Sequence, residues 1–289
     1  MNMKNPTIAG IMVTFIWACI TVLVTVLSNL PPLEVLCFST TIGFFLTSAQ
    51  LTIQKRWHLI KASAAMWLSG SLCLFGMNVF YINAFHFAPP VHAEIINYIW
   101  PLFVAVGGAV FFKDKLTYRH IFGLALCVLS LFVLHFDQFQ SSSGIVLSHV
   151  YGYICALMAA VSCSVYILVS KKHDTVPSQI VGIYAGVGAA LSFFGHVLFE
   201  KTVVPSQFQL LMLLLLGASS HWLAYQLWDY AIKNLKTWKI CVISYFTPVL
   251  SVIFLTLAGF GMFSWPVATS CLLLFVGSML ASLKFKDRL

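Results

Sequence analysis

The sequence predicts an all-α integral membrane protein whose ten transmembrane helices form two inverted five-helix repeats. Three observations predict it. Sixty per cent of the 289 residues are hydrophobic and only 8% are charged, with a mean hydropathy of +0.94; a soluble domain carries roughly 25% charged residues. The basic residues alternate between loops in a pattern that a membrane explains. One short motif occurs twice, 147 residues apart.

A spanning helix needs about 20 apolar residues. The first candidate, 7–28, follows a lone Lys4, carries Gly10 and Trp17, and has no small-residue cleavage site, so it reads as a retained span. The second is 34–53. The third, 64–86, sets Asn78, Tyr81 and Phe85 on one helical face by offsets of three and four. The fourth, 91–112, holds the first copy of the motif. The fifth and sixth are 119–135 and 148–170. The seventh, 177–199, carries Gly182, Gly186 and Gly188, which with Gly107 and Gly108 of the fourth suit close helix packing. The eighth, 208–231, is rich in aromatic and polar residues. The ninth, 239–260, holds the second copy of the motif, and the tenth is 265–283. Residues 1–144 then form the first repeat and 145–289 the second. The short loops leave no room for a soluble domain, and no phosphate-cradling Gly-rich loop with Lys-Ser/Thr is present, which argues against direct use of ATP.

Sorting the loops alternately places 15 of the 16 lysines and arginines on one side, and only Lys201 on the other. That bias predicts both termini on the cytoplasmic side of a bacterial inner membrane. It also argues that the net charge of +8 reflects topology rather than nucleic-acid binding. Five spans per half is an odd number, so the halves must lie in opposite orientations.

The repeated motif is Asn97-Tyr98-Ile99-Trp100-Pro101 and Ser244-Tyr245-Phe246-Thr247-Pro248; Ala84 answers to Ala231 and Thr117 to Ser264 in the same register. Each proline lacks an N–H for the carbonyl four residues earlier, which belongs to Asn97 or Ser244. A freed carbonyl is costly in lipid unless something satisfies it. Broken helices at membrane depth are how transporters assemble sites from backbone. The bland alternative is a structural kink.

Ionisable residues inside spans are the next candidates, because a buried acid costs roughly 2.5–3.5 kcal/mol on insertion scales. Glu94 shares a helical face with Asn97 and Pro101, and Glu94, His92 and Asp229 are candidates for ion coupling. Asp229 has a rival reading as a partner of Lys233 one turn on. In the eighth span His221, Tyr225 and Trp228 share a face by spacing, with Trp222 beside them. Aromatic rings with a polar edge suit a flat or cationic solute, whereas Trp57 and Trp265, close to loops, suit interfacial anchoring. The eight cysteines form no C-x-x-C pair and read as small buried residues; neither a metal site nor a cofactor is expected.

Asn-Tyr-Ile-Trp-Pro at 97–101 and Ser-Tyr-Phe-Thr-Pro-Val-Leu-Ser at 244–251 resemble signatures of the EamA branch of the drug/metabolite transporter (DMT) superfamily. So do Tyr225-x-x-Trp228, Gly10 and Trp17, and the similarity runs over nearly the whole chain. Within that branch the chain is most similar to bacterial exporters of aromatic amino acids. The resemblance implies ten helices about a pseudo-two-fold axis, a central cavity, and movement of small solutes without ATP hydrolysis. Asp229, Glu94 and the loop 87–90 depart from the family's pattern. The expected substrate-binding set is Trp17, Asn78, Tyr81, Glu94, Asn97, Tyr98, Trp100, Pro101, His221, Trp222, Tyr225, Trp228, Ser244, Tyr245 and Pro248. The implied function is export of aromatic or other neutral amino acids, with S-adenosylmethionine or a toxic cation as the rival cargo. The implied partners are a small zwitterionic or cationic solute and the lipid bilayer, with a monomer sufficient. An intramembrane enzyme would need paired aspartates in facing spans, G-x-S-x-G or H-E-x-x-H, and the sequence has none of these.

Overall fold

The structure is a computed structural model that describes residues 5–112, 118–134, 146–173, 175–235, 243–244 and 246–282. The described residues are helical, with no strand among them. In chain order the helices are α1 (Pro6–Val26), α2 (Pro32–Ile53), α3 (Ala64–Phe87), α4 (Pro90–Asn97), α5 (Trp100–Phe112), α6 (Tyr118–Leu134), α7 (Leu147–Lys172), α8 (Ile180–Phe199), α9 (Gln207–Leu216), α10 (Tyr225–Asn234), α11 (Phe246–Leu257) and α12 (Trp265–Ser282). A π-helical stretch, Gly217–Ala224, joins α9 to α10 without a break. Six of the described helical segments are long and apolar enough to cross a membrane: 6–26, 32–53, 66–87, 147–172, 180–199 and 207–234.

Local chemistry sets the ends. Proline occupies the first helical turn of α1, α2 and α4, where its missing N–H costs nothing. Asn5 and Ser63 cap α1 and α3 through their side chains, and Ser206 with Gln209 forms a reciprocal capping box on α9. The start of α2 is capped from another helix: Glu200 accepts the N–H groups of Leu33 and Glu34 at 3.0 and 3.2 Å. Glu34 in turn accepts from the Val203 N–H, and His196 lies 2.8 Å from Glu200. This buried acid–histidine cluster ties the start of α2 to the end of α8.

Helix pairs are selected by small residues. The α2–α8 contact closes where Gly182 and Gly186 face Thr47 and Phe44, since a Cβ on either glycine would collide with those side chains. Gly43 of α2 lets the π-helical stretch approach so closely that a Cβ would lie 2.9 Å from the His221 carbonyl carbon. On the other face of that contact, Gly217 sits against Ser39 and Ile42. Elsewhere α3 packs along α7, α6 along α12, α1 along α11 and α10, and α4 and α5 along α7. Phe15, Phe45, Phe194, Phe199 and Trp265 are exposed, as expected where a helix face meets lipid rather than water.

The segment read as one fourth span is two helices. The chain is helical to Asn97, turns through Tyr98 and Ile99, and resumes at Trp100. The stop at Asn97 stands four residues before Pro101, whose ring collides with the carbonyl of residue 97 in a continuous helix. The Ser164 hydroxyl of α7 donates to the Trp100 carbonyl at 2.8 Å, which ties the start of α5 to α7. In the second copy, Ser244 and Pro248 are buried, Pro248 lies in the first turn of α11, and Tyr245 lies outside the described residues.

Candidate functional site

A cleft opens among α1, α3, α4, α5, α7 and the α9–α10 helix. Trp17, Ile20 and Val24 line it from α1, and Met77, Asn78, Tyr81 and Ile82 from α3. Glu94, Asn97, Tyr98 and Trp100 come from the broken fourth segment, and Cys163 from α7. Leu216, Ser220, His221 and Tyr225 complete the wall. None of these residues is lysine or arginine.

Two polar pairs organise the lining. The Tyr81 hydroxyl donates to Glu94 Oε2 at 3.0 Å, and the Tyr225 hydroxyl donates to Asn78 Oδ1 at 2.9 Å. Asn78 spends its own N–H on the Leu74 carbonyl, 2.7 Å away, which fixes the amide's orientation. Glu94 is 1% exposed. Its Oε1 makes no well-formed hydrogen bond with any described residue, although the Ser251 hydroxyl of α11 lies beside the carboxyl. Burying a carboxylate this way is costly unless something completes its partners.

Nine of the predicted residues meet at this cleft: Trp17, Asn78, Tyr81, Glu94, Asn97, Tyr98, Trp100, His221 and Tyr225. Of the rest, Tyr245 lies outside the described residues and the others stand elsewhere. Trp228 is not on the wall but behind it, edge-on to Trp17 at 4.8 Å and to Trp100 at 5.9 Å between ring centroids. Trp222 points the other way, to α2, where its indole N–H donates to Gln50 at 2.9 Å. Pro101, Ser244 and Pro248 are buried outside the lining. The π-helical turns account for part of this: the wider turn breaks the α-helical register that grouped His221, Tyr225 and Trp228 by spacing.

Two of the three coupling candidates are engaged elsewhere. Asp229 meets Lys233 at 2.6 Å, Tyr166 at 2.8 Å and the Ser170 hydroxyl, while Lys233 also donates to the Val176 carbonyl at 2.7 Å. This closed network ties α10 to α7 and to the start of α8. His92 stacks on Tyr153 of α7, with Nδ1 3.2 Å from its hydroxyl. Spacing did not single out Cys163, Ser220, Met77 or the aliphatic residues Ile20, Val24, Ile82 and Leu216; only their place in the packed bundle brings them to the cleft.

The model of the EamA-like transporter family matches the chain twice, over residues 6–136 and 150–283. The chain belongs to the EamA-like transporter family. It is accordingly a transporter rather than an enzyme, an all-helical, multi-pass bacterial membrane protein that handles a small solute. Among curated proteins this EamA-like transporter is similar to the aromatic amino acid exporter YddG of Ancylobacter novellus, at 30% identity over 98% of this chain and 99% of the relative. A solved crystal structure, 28% identical and covering 97% of each chain, superposes with a TM-score of 0.77.

Proposed function

We propose that this EamA-like transporter exports aromatic or other large neutral amino acids across the bacterial inner membrane, by alternating access of the cleft described above. The observation that carries the reading is the cleft's chemistry. One carboxylate, Glu94, stands among the rings of Trp17, Tyr81, Tyr98, Trp100 and Tyr225, the imidazole of His221 and the amides of Asn78 and Asn97, with no lysine or arginine in the lining. An ammonium finds Glu94 or an aromatic face, a carboxylate finds neutral donors, and a flat side chain stacks on the remaining rings. A phosphorylated sugar would be desolvated without a partner charge. The similar Ancylobacter protein, an aromatic amino acid exporter, agrees with this choice. A monocation such as S-adenosylmethionine is the second reading, favoured by the same unmatched carboxylate.

The proposed frame is ten spans in two inverted repeats, 1–144 and 145–289, with both termini cytoplasmic. The twofold match of the family model supports the repeats. So does the packing. Moving each span to its counterpart five places on turns the contact of α3 with α7 into that of the eighth span with α1, and both occur. The α2–α8 and α6–α12 contacts map onto themselves, as contacts across a pseudo-two-fold axis do. The described lining of the cleft comes from one chain, which supports a monomer as sufficient.

Counterflow in proteoliposomes tests the substrate. Labelled phenylalanine, tryptophan or methionine is expected to exchange, and a nucleotide sugar is not; the reverse result refutes the reading. On a cysteine-depleted background, an external thiol reagent should label cysteines placed at 138–144 and miss those at 55–61.

A further inference from the structure

We propose that a groove between the first turns of α6 and the last turns of α12 binds one anionic phospholipid, with its phosphate on Arg119 and an acyl chain lying along the two helices. The groove shares no residue with the cleft, so the proposal is independent of the solute. The two helices run antiparallel and close together. The Ser270 hydroxyl, early in α12, donates to the Ser130 carbonyl, late in α6, at 2.8 Å. Toward the other end, a Cβ on Gly277 would lie 2.6 Å from the Gly123 carbonyl oxygen. Beside that approach, Tyr118, Arg119, Ile121, Phe122 and Ala125 of α6 and Leu280 of α12 line the groove. Tyr118, Ile121 and Phe122 are exposed, and Arg119 is half-buried.

Charge selects the occupant. The 17 residues of α6 make roughly 25 Å of helix, against a hydrocarbon core about 30 Å thick. Its first turn therefore stands at the level of the headgroups, and Arg119 lies in that turn. The Arg119 Nε donates to the Tyr118 hydroxyl at 3.2 Å, with the guanidinium carbon 5.6 Å from the ring centroid. Among the lining residues Arg119 is the one charge, and none is aspartate or glutamate. A guanidinium fork matches two phosphate oxygens, while Ile121, Phe122, Ala125 and Leu280 offer an acyl chain only hydrocarbon. The adjoining sequence has the same sign: Lys113 and Lys115 precede α6 and Lys284, Lys286 and Arg288 follow α12, against Asp114 and Asp287. In the proposed frame this end is cytoplasmic, where the leaflet carries anionic lipid. The end of α8 is the contrast: Phe194, Leu198 and Phe199 are exposed on a helix without lysine or arginine, a face that suits any acyl chain. A second copy of the chain docked on the groove about a two-fold axis would bring two arginines together.

Native mass spectrometry of the purified full chain tests this, from mixed micelles holding equal amounts of phosphatidylglycerol and phosphatidylcholine with the same acyl chains. The expected result is one retained phosphatidylglycerol, favoured over phosphatidylcholine by about fivefold, the factor that one cation contributes at an anionic headgroup. Arg119→Gln should bring the ratio toward one, whereas Arg56→Gln, at an exposed cation elsewhere, should leave it unchanged. Ala125→Trp fills the groove while keeping the charge and should expel the lipid as well; it decides alone where Arg119→Gln fails to fold. Equal retention of the two lipids by the wild type overturns the proposal. So does a preference that survives either groove variant, or one that Arg56→Gln abolishes equally. A stable lipid-free dimer also overturns it, and makes the groove an interface between copies.

Discussion

Tyr81 donates its phenolic hydrogen to Glu94 across 3.0 Å, and this bond joins the third helix to the first half of a broken one. It holds one carboxylate oxygen, Oε2, of a side chain on the cleft wall. Tyr81→Phe keeps the ring and removes the donor. The expected cost is about 1–3 kcal/mol at the carboxylate, read as a raised KM for counterflow and a lowered melting temperature. An unchanged KM would separate Tyr81 from the site.

Pro101 ends α4 at Asn97 by taking away a helical hydrogen bond. Pro101→Ala permits a continuous helix through Tyr98 and Ile99 and turns the lining residues Asn97, Tyr98 and Trp100 relative to Glu94. Transport should fall further than folded yield does. Equal losses in both, measured by counterflow and by size-exclusion recovery, would reduce the proline to a packing role.

How much of this was legible in the sequence differs from residue to residue. Asn78, Tyr81, Glu94 and Asn97 stood out because polar groups in an apolar span are costly and their three- and four-residue spacing fixes a shared face. Trp228 satisfied the same spacing and Trp222 stood beside that face, yet neither lines the cleft. Their direction depends on a π-helical stretch for which Gly217-Ala218-Ser219-Ser220 carries no local signal. Cys163 and Ser220 reach the cleft only through the packing of α7 and the π-helical stretch in the bundle, a tertiary property that periodicity cannot report. The Glu34–His196–Glu200 cluster also joins residues more than 160 positions apart, so no motif marks it. Asp229 was legible in both of its readings, and it does pair with Lys233.

Gly43 is the contact through which α2 supports the cleft wall at His221. Gly43→Ala forces the two backbones apart, an overpacking cost of about 1–3 kcal/mol. Gly188→Ala is the control, since its added carbon meets only ordinary contacts at 3.8 and 3.9 Å. The first should lower both melting temperature and transport, and the second neither.

Lys233→Ala leaves Asp229 buried with only hydroxyl partners. Breaking a buried pair from one side costs about 3–5 kcal/mol, whereas replacing both partners by apolar residues costs much less. The double variant Asp229→Leu with Lys233→Met should therefore melt closer to wild type than Lys233→Ala does. The opposite order would show that the network is not governed by charge pairing.

The account's central claim is that the amino acid sits in the cleft, and Cys163, a lining residue, reports on it directly. In a variant whose other cysteines are replaced, alkylation of Cys163 by a membrane-permeant thiol reagent can be timed with and without solute. The predicted result is that phenylalanine or tryptophan slows the reaction in proportion to its occupancy measured by counterflow, while a nucleotide sugar does not. Alkylation at an unchanged rate under saturating, actively exchanging phenylalanine would contradict the account.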